Sequence, residues 1–309
     1  MNDMTEVRPA LTWNADALWR HLQPVLPGIS VEVAARLEST NSALIERARA
    51  SAGQRDAPVT GPGDLDPLER RSTPLGRRSH DTQPCLLVAE QQTRGRGRMG
   101  RAWQSSAGAS LTFSLGLPLA PVQWSGLSLA VGVALAQALD ADAPPGAPRL
   151  LLKWPNDLWL ADNMHPMGGR KLGGVLIETV PVGERRMCVV GVGLNIQPQF
   201  VKDVDTGFAC VDELLPGASA PHSLALVAAP LLRALQDFER AGFAYFADDY
   251  RRRDLLAGRA LTTTMADMPQ GVGAGVDRDG ALLVEANGRT HRIISGEASV
   301  RPAPEGEVV

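Results

Sequence analysis

A chain of 309 residues, 44% hydrophobic and 21% charged, holds enough apolar material for one large core, or for a core with a small appendage. Its formal net charge of -3 excludes the broad basic surface of a nucleic-acid or anionic-membrane binder, so any anion it holds is local and small. The opening "MNDMTEVRPA" lacks a leader pattern and no segment offers an uninterrupted apolar run of membrane length, which predicts a cytoplasmic protein.

In chain order, residues from Trp13 to Leu26 predict a short helix. "VEVAARLESTNSALIERARA" then predicts a strand, a polar turn and a helix that Ser39, Thr40 or Asn41 can cap. Residues 51–82 lose all periodicity and are rich in Pro, Gly and charge, which predicts a long mobile surface insertion. "CLLVAE" is a buried strand feeding into "TRGRGRMGRAWQSS", where four arginines and three glycines occur without an acidic residue. "SLTFSLGL" alternates as a strand, and "WSGLSLAVGVALAQALD" reads as an apolar helix.

Two short strands follow in "RLLLKWPNDLWLADN", with Pro155 and Asn156 forming the turn between them. "RKLGGVLIETV" and "RRMCVVGVGLNI" make a hairpin through "PVGE". Between Ser223 and Phe246, Leu224, Val227, Leu231, Leu235 and Phe238 share a helical face, with Pro230 expected as a kink or boundary. After Arg251 the chain turns to short strands broken by "DRDG" and "ANG", the pattern of a small antiparallel barrel or sheet. A domain boundary is expected near residue 253, leaving a second unit of about 50 residues that needs docking on its neighbour to be stable.

In "GRGRMG", Gly95, Gly97 and Gly100 permit positive φ and close backbone approach, while Arg96 and Arg98 offer fork-like donors to phosphate or carboxylate. No Lys-Ser/Thr pair follows, and the intervals miss the dinucleotide fingerprint. An ordered small-anion loop, a solvated basic turn and an RNA-contacting segment therefore all remain open. In "KWPND", Asn156 and Asp157 either face a cleft or cap backbone amides. Lys171 opens an apolar strand beside Gly173 and Gly174, as a ligand contact or as a solvent-facing edge residue. Asn195 in "GVGLN" lines a ligand or belongs to a bulge and turn. Cys85, Cys188 and Cys210 read as reduced core thiols, and the five histidines lack metal-ligand spacing.

Taken in order, "ESTNSAL", "EQQTRGRGRMGRAWQSS", "KWPNDLW", "RKLGGVLIE", "GVGLNI" and "GRTHRIISGEASVR" resemble the biotin-protein ligase family, biotin-[acetyl-CoA-carboxylase] ligase, from about Ala10 to Pro302. The resemblance implies an α/β fold: a mixed-sheet catalytic domain of the biotin/lipoate ligase type over residues 1–253, then a small all-β SH3-like barrel over 254–309. It implies that ATP activates biotin to biotinyl-5'-adenylate with release of pyrophosphate. The biotinyl group then passes to one lysine of the biotin carboxyl carrier protein of acetyl-CoA carboxylase, and of other biotin-dependent carboxylases.

Residue by residue, the resemblance makes Lys171 the lysine that contacts both reacting groups, and places Arg98 in the loop that orders over biotin and retains the adenylate. Ser39, Thr40, Gln92, Gly95, Arg96 and Gly174 match positions around biotin, and Asn41 and Gly97 join the ligand set. Trp103 matches the aromatic beside the nucleotide, and Asn156 and Asn195 match residues on the adenylate side. Asp157 matches a carboxylate near the phosphates and the incoming lysine, with Mg2+ binding, orientation and proton removal all open as its role. ATP and Mg2+ are the implied cofactors, and neither specific DNA nor a membrane is an implied partner. Met99 departs from a position often basic in relatives, and "MHPMGG" expands the turn before Lys171. Only 37 residues precede "ESTNSAL", too few for a winged helix-turn-helix, so a ligase that does not repress transcription is expected. The competing readings are a lipoate or octanoate ligase or transferase on the same fold, and an RNA-binding or scaffold protein.

Overall fold

The computed structural model describes residues 11–54, 82–144, 146–201, 206–294 and 299–303. A short helix, α1 (Ala15–Leu22), precedes β1 (Ser30–Leu37); α2 (Thr40–Gln54) then crosses over to β2 (Cys85–Gln92), which lies parallel to β1. Four residues of the stretch expected to be irregular, 51–54, are the end of α2, because the helical ladder runs on past the last apolar position. The rest of that expectation, residues 55–81, lies outside the described residues.

The next strand, β3 (Ser110–Pro118), pairs antiparallel with β2 and is buried along nearly its whole length. Its alternation sorts chemistry rather than exposure: Leu111, Phe113, Leu115 and Leu117 on one side, Ser110, Thr112, Ser114 and Gly116 on the other. The apolar helix α3 (Leu127–Leu139) follows, buried on most sides as its sequence predicts. Then come β4 (Leu150–Lys153), β5 (Asp157–Ala161) and the long hairpin β6 (Gly169–Val182) with β7 (Arg185–Asn195). These strands complete a seven-stranded mixed sheet in the order β1-β2-β3-β7-β6-β5-β4.

A single turn, α4 (Val211–Leu214), leads to α5 (Ala220–Ala241), whose predicted face of Leu224, Val227, Leu231, Leu235 and Phe238 is buried. Pro230 is not a boundary. It lies inside α5, which continues through it, and packing of the apolar face outweighs the one amide hydrogen bond a proline removes.

After α6 (Ala247–Arg251), β8 (Ala260–Met265), β9 (Met268–Val276), β10 (Leu282–Ala286), β11 (Arg289–Ile293) and β12 (Val300–Pro302) form an antiparallel sheet ordered β11-β10-β9-β8-β12. This small antiparallel β unit matches expectation, with β11 and β12 at the two ends of the strand order among the described residues. "ANG" makes the predicted tight turn, with Ala286 opposite Arg289 and positive φ at both Asn287 (52°) and Gly288 (70°). One continuous apolar cluster joins the two sheets, running from Phe113, Leu135 and Trp154 to Leu256, Leu261, Leu282, Val284 and Val300.

Candidate active site

The cleft lies at one end of the large sheet, where the chain enters α2, leaves β2 and turns from β4 into β5. Ser39, Thr40, Asn41, Gln92, Arg96, Gly97, Arg98, Trp103, Asn156, Asp157, Lys171 and Gly174 line it, together with Arg101, Phe113, Lys153 and Ser299. Two of the residues assigned by resemblance do not line it. The carbonyl of Gly95 accepts the Trp103 backbone N–H inside the loop (2.8 Å). Asn195 is buried, and its amide donates to Ala209 O (3.0 Å) and reaches Lys171 O (3.5 Å), so it holds backbone rather than facing the cleft.

One half of the cleft is floored by neutral polar groups. Thr40 donates through both N and Oγ1 to Gln92 Oε1 (2.7 and 3.1 Å). Ser114 Oγ, fully buried, stands 2.6 Å from both Thr40 Oγ1 and Asn41 Oδ1 and gives its one proton to one of them. Asn41 donates in turn to Glu178 Oε2 (2.9 Å) and Leu176 O (3.2 Å). Glu178 and Ser42 Oγ receive Arg96 at 3.2 and 3.1 Å, so a polar chain runs from the strand end at Gln92 to the arginine loop. Only the Arg96 end carries charge, so this floor suits a ligand with uncharged donors and acceptors.

The loop folds as a small hairpin: Trp103 N to Gly95 O, Gly97 N to Arg101 O, and a 3-10 turn at Arg98–Gly100. Positive φ falls on Gly100 (72°) and on Met99 (55°), Gly97 is extended, and Gly95 serves close backbone approach, since a Cβ there would stand 2.5 Å from Trp103 O; the expectation for the loop glycines thus holds at Gly95 and Gly100 and misses Met99. Trp103 lies against β7 so closely that a Cβ on Gly193 would come within 2.5 Å of its ring. The indole Nε1 is buried without a hydrogen-bond partner among the described residues.

Charge gathers at the other half. A bulge opposite Leu158–Trp159 sets Leu172 out of register and turns Lys171 toward the side of Gly174, where its ammonium meets Asp157 Oδ1 at 2.8 Å. Gly174 leaves the space for this pair: a Cβ there would stand 3.3 Å from Asp157 Oδ1. Asn156 fastens the turn by accepting from Val175 N (2.9 Å) and donating to Val175 O (2.7 Å). Arg98 is partly buried, and burial lowers its pKa while the charge of Asp157 opposes the fall. Among the described residues lining this end, four are basic (Arg98, Arg101, Lys153, Lys171) and one is acidic (Asp157), a balance that favours anionic ligands there.

Sequence reading passed over Lys153, Arg101, Glu178 and Ser114. The last two had a detectable signal, since both fall at polar positions inside otherwise apolar strands. Among the described residues no group of three or more His, Cys, Asp or Glu side chains could hold a metal, and no helix is long and apolar enough to cross a membrane. The three cysteines are buried thiols, and burial raises Cys85 and Cys188 to about 12, far from thiolate chemistry.

Residues 76–195 match the biotin/lipoate A/B protein ligase family. The biotin--[acetyl-CoA-carboxylase] ligase of Mycobacterium tuberculosis is 34% identical over 251 residues, 77% of this chain and 85% of that protein. The chain belongs to the biotin/lipoate A/B protein ligase family. It is also 34% identical over 222 residues to the bifunctional ligase/repressor of Escherichia coli, and that match spans 70% of this chain but only 66% of the relative's length. Among solved structures, the biotin protein ligase of Aquifex aeolicus in complex with biotin and ATP superposes with a TM-score of 0.61 at 23% identity, over 90% of this family member and 100% of that chain. At that identity the likeness shows a shared fold. The family resemblance read from the ordered motifs is thereby borne out.

Proposed function

We propose that this family member is a biotin-protein ligase: it activates biotin with ATP to biotinyl-5'-adenylate, releasing pyrophosphate, and transfers the biotinyl group to a lysine of a biotin carboxyl carrier domain. The observation that carries this reading is the division of one cleft into a neutral hydrogen-bonding floor and a cationic end holding the Lys171–Asp157 pair. Biotin has that polarity, with an uncharged ureido ring at one end and a carboxylate at the other.

In this reading the floor of Ser39, Thr40, Asn41 and Gln92 receives the ring, with Gly174 and the loop from Gly95 to Gly97 closing around the ligand. The acid's carboxylate is delivered to Lys171 and Arg98, which offset repulsion between two anions as the carboxylate oxygen bonds to the α-phosphorus and pyrophosphate departs. Trp103 offers an aromatic face beside the nucleotide, and Asn156 fixes the turn beneath it. Asn195 acts by holding the Lys171 strand. Asp157 orients Lys171 and is the one carboxylate lining the cleft among the described residues. A single carboxylate fits Mg2+ that arrives with nucleotide phosphates, since that ion keeps most of its ligands from phosphate and water. When bound, it neutralises phosphate charge. Once the adenylate has formed, a neutral carrier lysine attacks its acyl carbon and AMP leaves.

The division into a catalytic domain to residue 253 and a smaller unit from 254 is part of the same reading. Purified protein supplied with ATP and, separately, biotin, lipoate and octanoate tests it. Pyrophosphate release with biotin, followed by a biotinyl mass increase on a carrier domain, is expected. Release with lipoate or octanoate but not biotin overturns the substrate assignment.

A further inference from the structure

We propose that Lys153 is a further cation of the activation step, meeting the polyphosphate chain of the nucleotide as pyrophosphate departs; this rests on the ligase reading above. Lys153 ends β4 and is only 9% exposed, yet it lines the cleft. Its ammonium lies 5.9 Å from the centroid of the Trp159 ring, and among the described residues it makes no hydrogen bond or ion pair. A buried ammonium without an acceptor is costly, and the cost is relieved only by an anion brought to it.

Among the described residues no side chain supplies that anion. Asp157 stands opposite Lys153 across the β4–β5 pair, but its carboxylate is already engaged by Lys171 at 2.8 Å. The other charged groups acting on Lys153 are all cations: Lys171 on β6, Arg101 in the loop and Arg301 on β12. Among the described lining residues, Asp157 faces Lys153, Lys171 and Arg101, an excess of positive charge that a monocarboxylic acid alone does not balance, whereas a triphosphate does. As the carboxylate oxygen bonds to the α-phosphorus, the bond from that phosphorus to the pyrophosphate oxygen breaks and its electron pair leaves on pyrophosphate. A cation behind the leaving group stabilises that charge.

The same environment supplies a readout. Burial lowers the Lys153 pKa to about 8, against the pull of Asp157 and with the push of Lys171, Arg301 and Arg101. The ammonium is charged below that pH and loses its charge above it. The catalytic efficiency kcat/KM for ATP, followed by biotin-dependent pyrophosphate release, is therefore expected to fall as pH rises through about 8.

Two variants, Lys153→Met and Lys153→Arg, checked for folding by circular dichroism, test the role. Lys153→Met keeps length and apolar contact with Trp159 and is expected to lose roughly 10- to 100-fold in pyrophosphate release, with a much smaller loss in transfer from supplied biotinyl-adenylate. Lys153→Arg keeps the charge and is expected to restore release and to move the alkaline fall above pH 9. Normal release by Lys153→Met, equal loss in both half-reactions, or a wild-type alkaline fall in Lys153→Arg overturns the role while leaving the ligase reading standing. A wild-type protein that releases no pyrophosphate with biotin overturns both.

Discussion

Lys171 and Ser114 stand at the two poles of the cleft and are expected to fail differently. Lys171→Ala removes the cation that offsets repulsion between two anions, so adenylate formation should fall at least roughly 100-fold, with a smaller loss in transfer from supplied biotinyl-adenylate. Rapid-quench measurement of both half-reactions checks this, and equal losses would show damage to the shared site instead. Ser114→Ala takes the donor from between Thr40 and Asn41 in a fully buried position. About 1–3 kcal/mol of stability should be lost, with KM for biotin raised more than kcat is lowered. Ser114 stands outside every motif quoted for the family, and Glu178 only closes one of them, "RKLGGVLIE". Their importance comes from pairing across the sheet, β3 against β7 and β7 against β6, which brings both under the start of α2. Lys171 and Arg98 were legible because their motifs carry them with a role; Lys153 opens "KWPNDLW" but had no role until the fold surrounded it with other cations.

The arginine-glycine loop depends on the strand it leans against. Gly193 on β7 leaves the space that the Trp103 ring occupies, so Gly193→Ala should push the indole out and lever the hairpin from its seat. The expected outcome is weaker biotin binding by calorimetry and about 1–3 kcal/mol lower stability, while Ala at the exposed tip residue Met99 leaves stability within about 0.5 kcal/mol. Element by element, the helices and strands of the large sheet were readable, since apolar period and turn residues agree there. "ANG" was readable because Asn-Gly meets the positive φ that a two-residue hairpin turn demands. Pro230 misled because propensity is a local quantity, while the buried face of α5 is a tertiary one. Positive φ at Met99 rather than Gly97 was invisible for a related reason: which loop position takes the left-handed turn is set by the hairpin bonds on either side.

At the scale of the whole molecule, the segment joining the two sheets is fastened into the larger one. Arg253 pairs with buried Asp140 (2.7 Å), Leu152 N donates to Arg253 O, and Leu255 N donates to Leu152 O. Trp154 Nε1 reaches Gly280 O (3.1 Å) and Arg259 donates to Met167 O (3.0 Å), so the small sheet touches both the turn after Lys153 and the one before Lys171. Asp254 sits at this junction, and burial raises its carboxyl to about 6 even though the backbone N–H groups of Leu256 and Ala257 pull it down. The folded chain therefore binds a proton between about pH 4 and 6 that the unfolded chain has already released, so this group makes stability fall as pH rises across that window and then level off. Asp254→Asn keeps an acceptor for Leu256 N–H and removes the charge. Its Tm should exceed wild type at pH 8, by the equivalent of roughly 2–3 kcal/mol, and match it near pH 4. A uniform shift at both pH values would assign the effect to packing alone.

The parallel pairing of β1 with β2 fixes which end of the protein can vary in length. Thr40 and Gln92 meet at the cleft, so α2 runs away from it for about 22 Å and β2 returns over about 26 Å. Gln54, the last residue of α2, and Cys85, the first of β2, therefore both lie at the pole remote from the cleft. A short Gly-Ser bridge replacing 55–81 should therefore preserve kcat and KM for biotin and ATP within about twofold. A tag or reporter grafted there should leave the cleft untouched, which makes the crossover a place where an engineer can add to the enzyme without renegotiating its reaction.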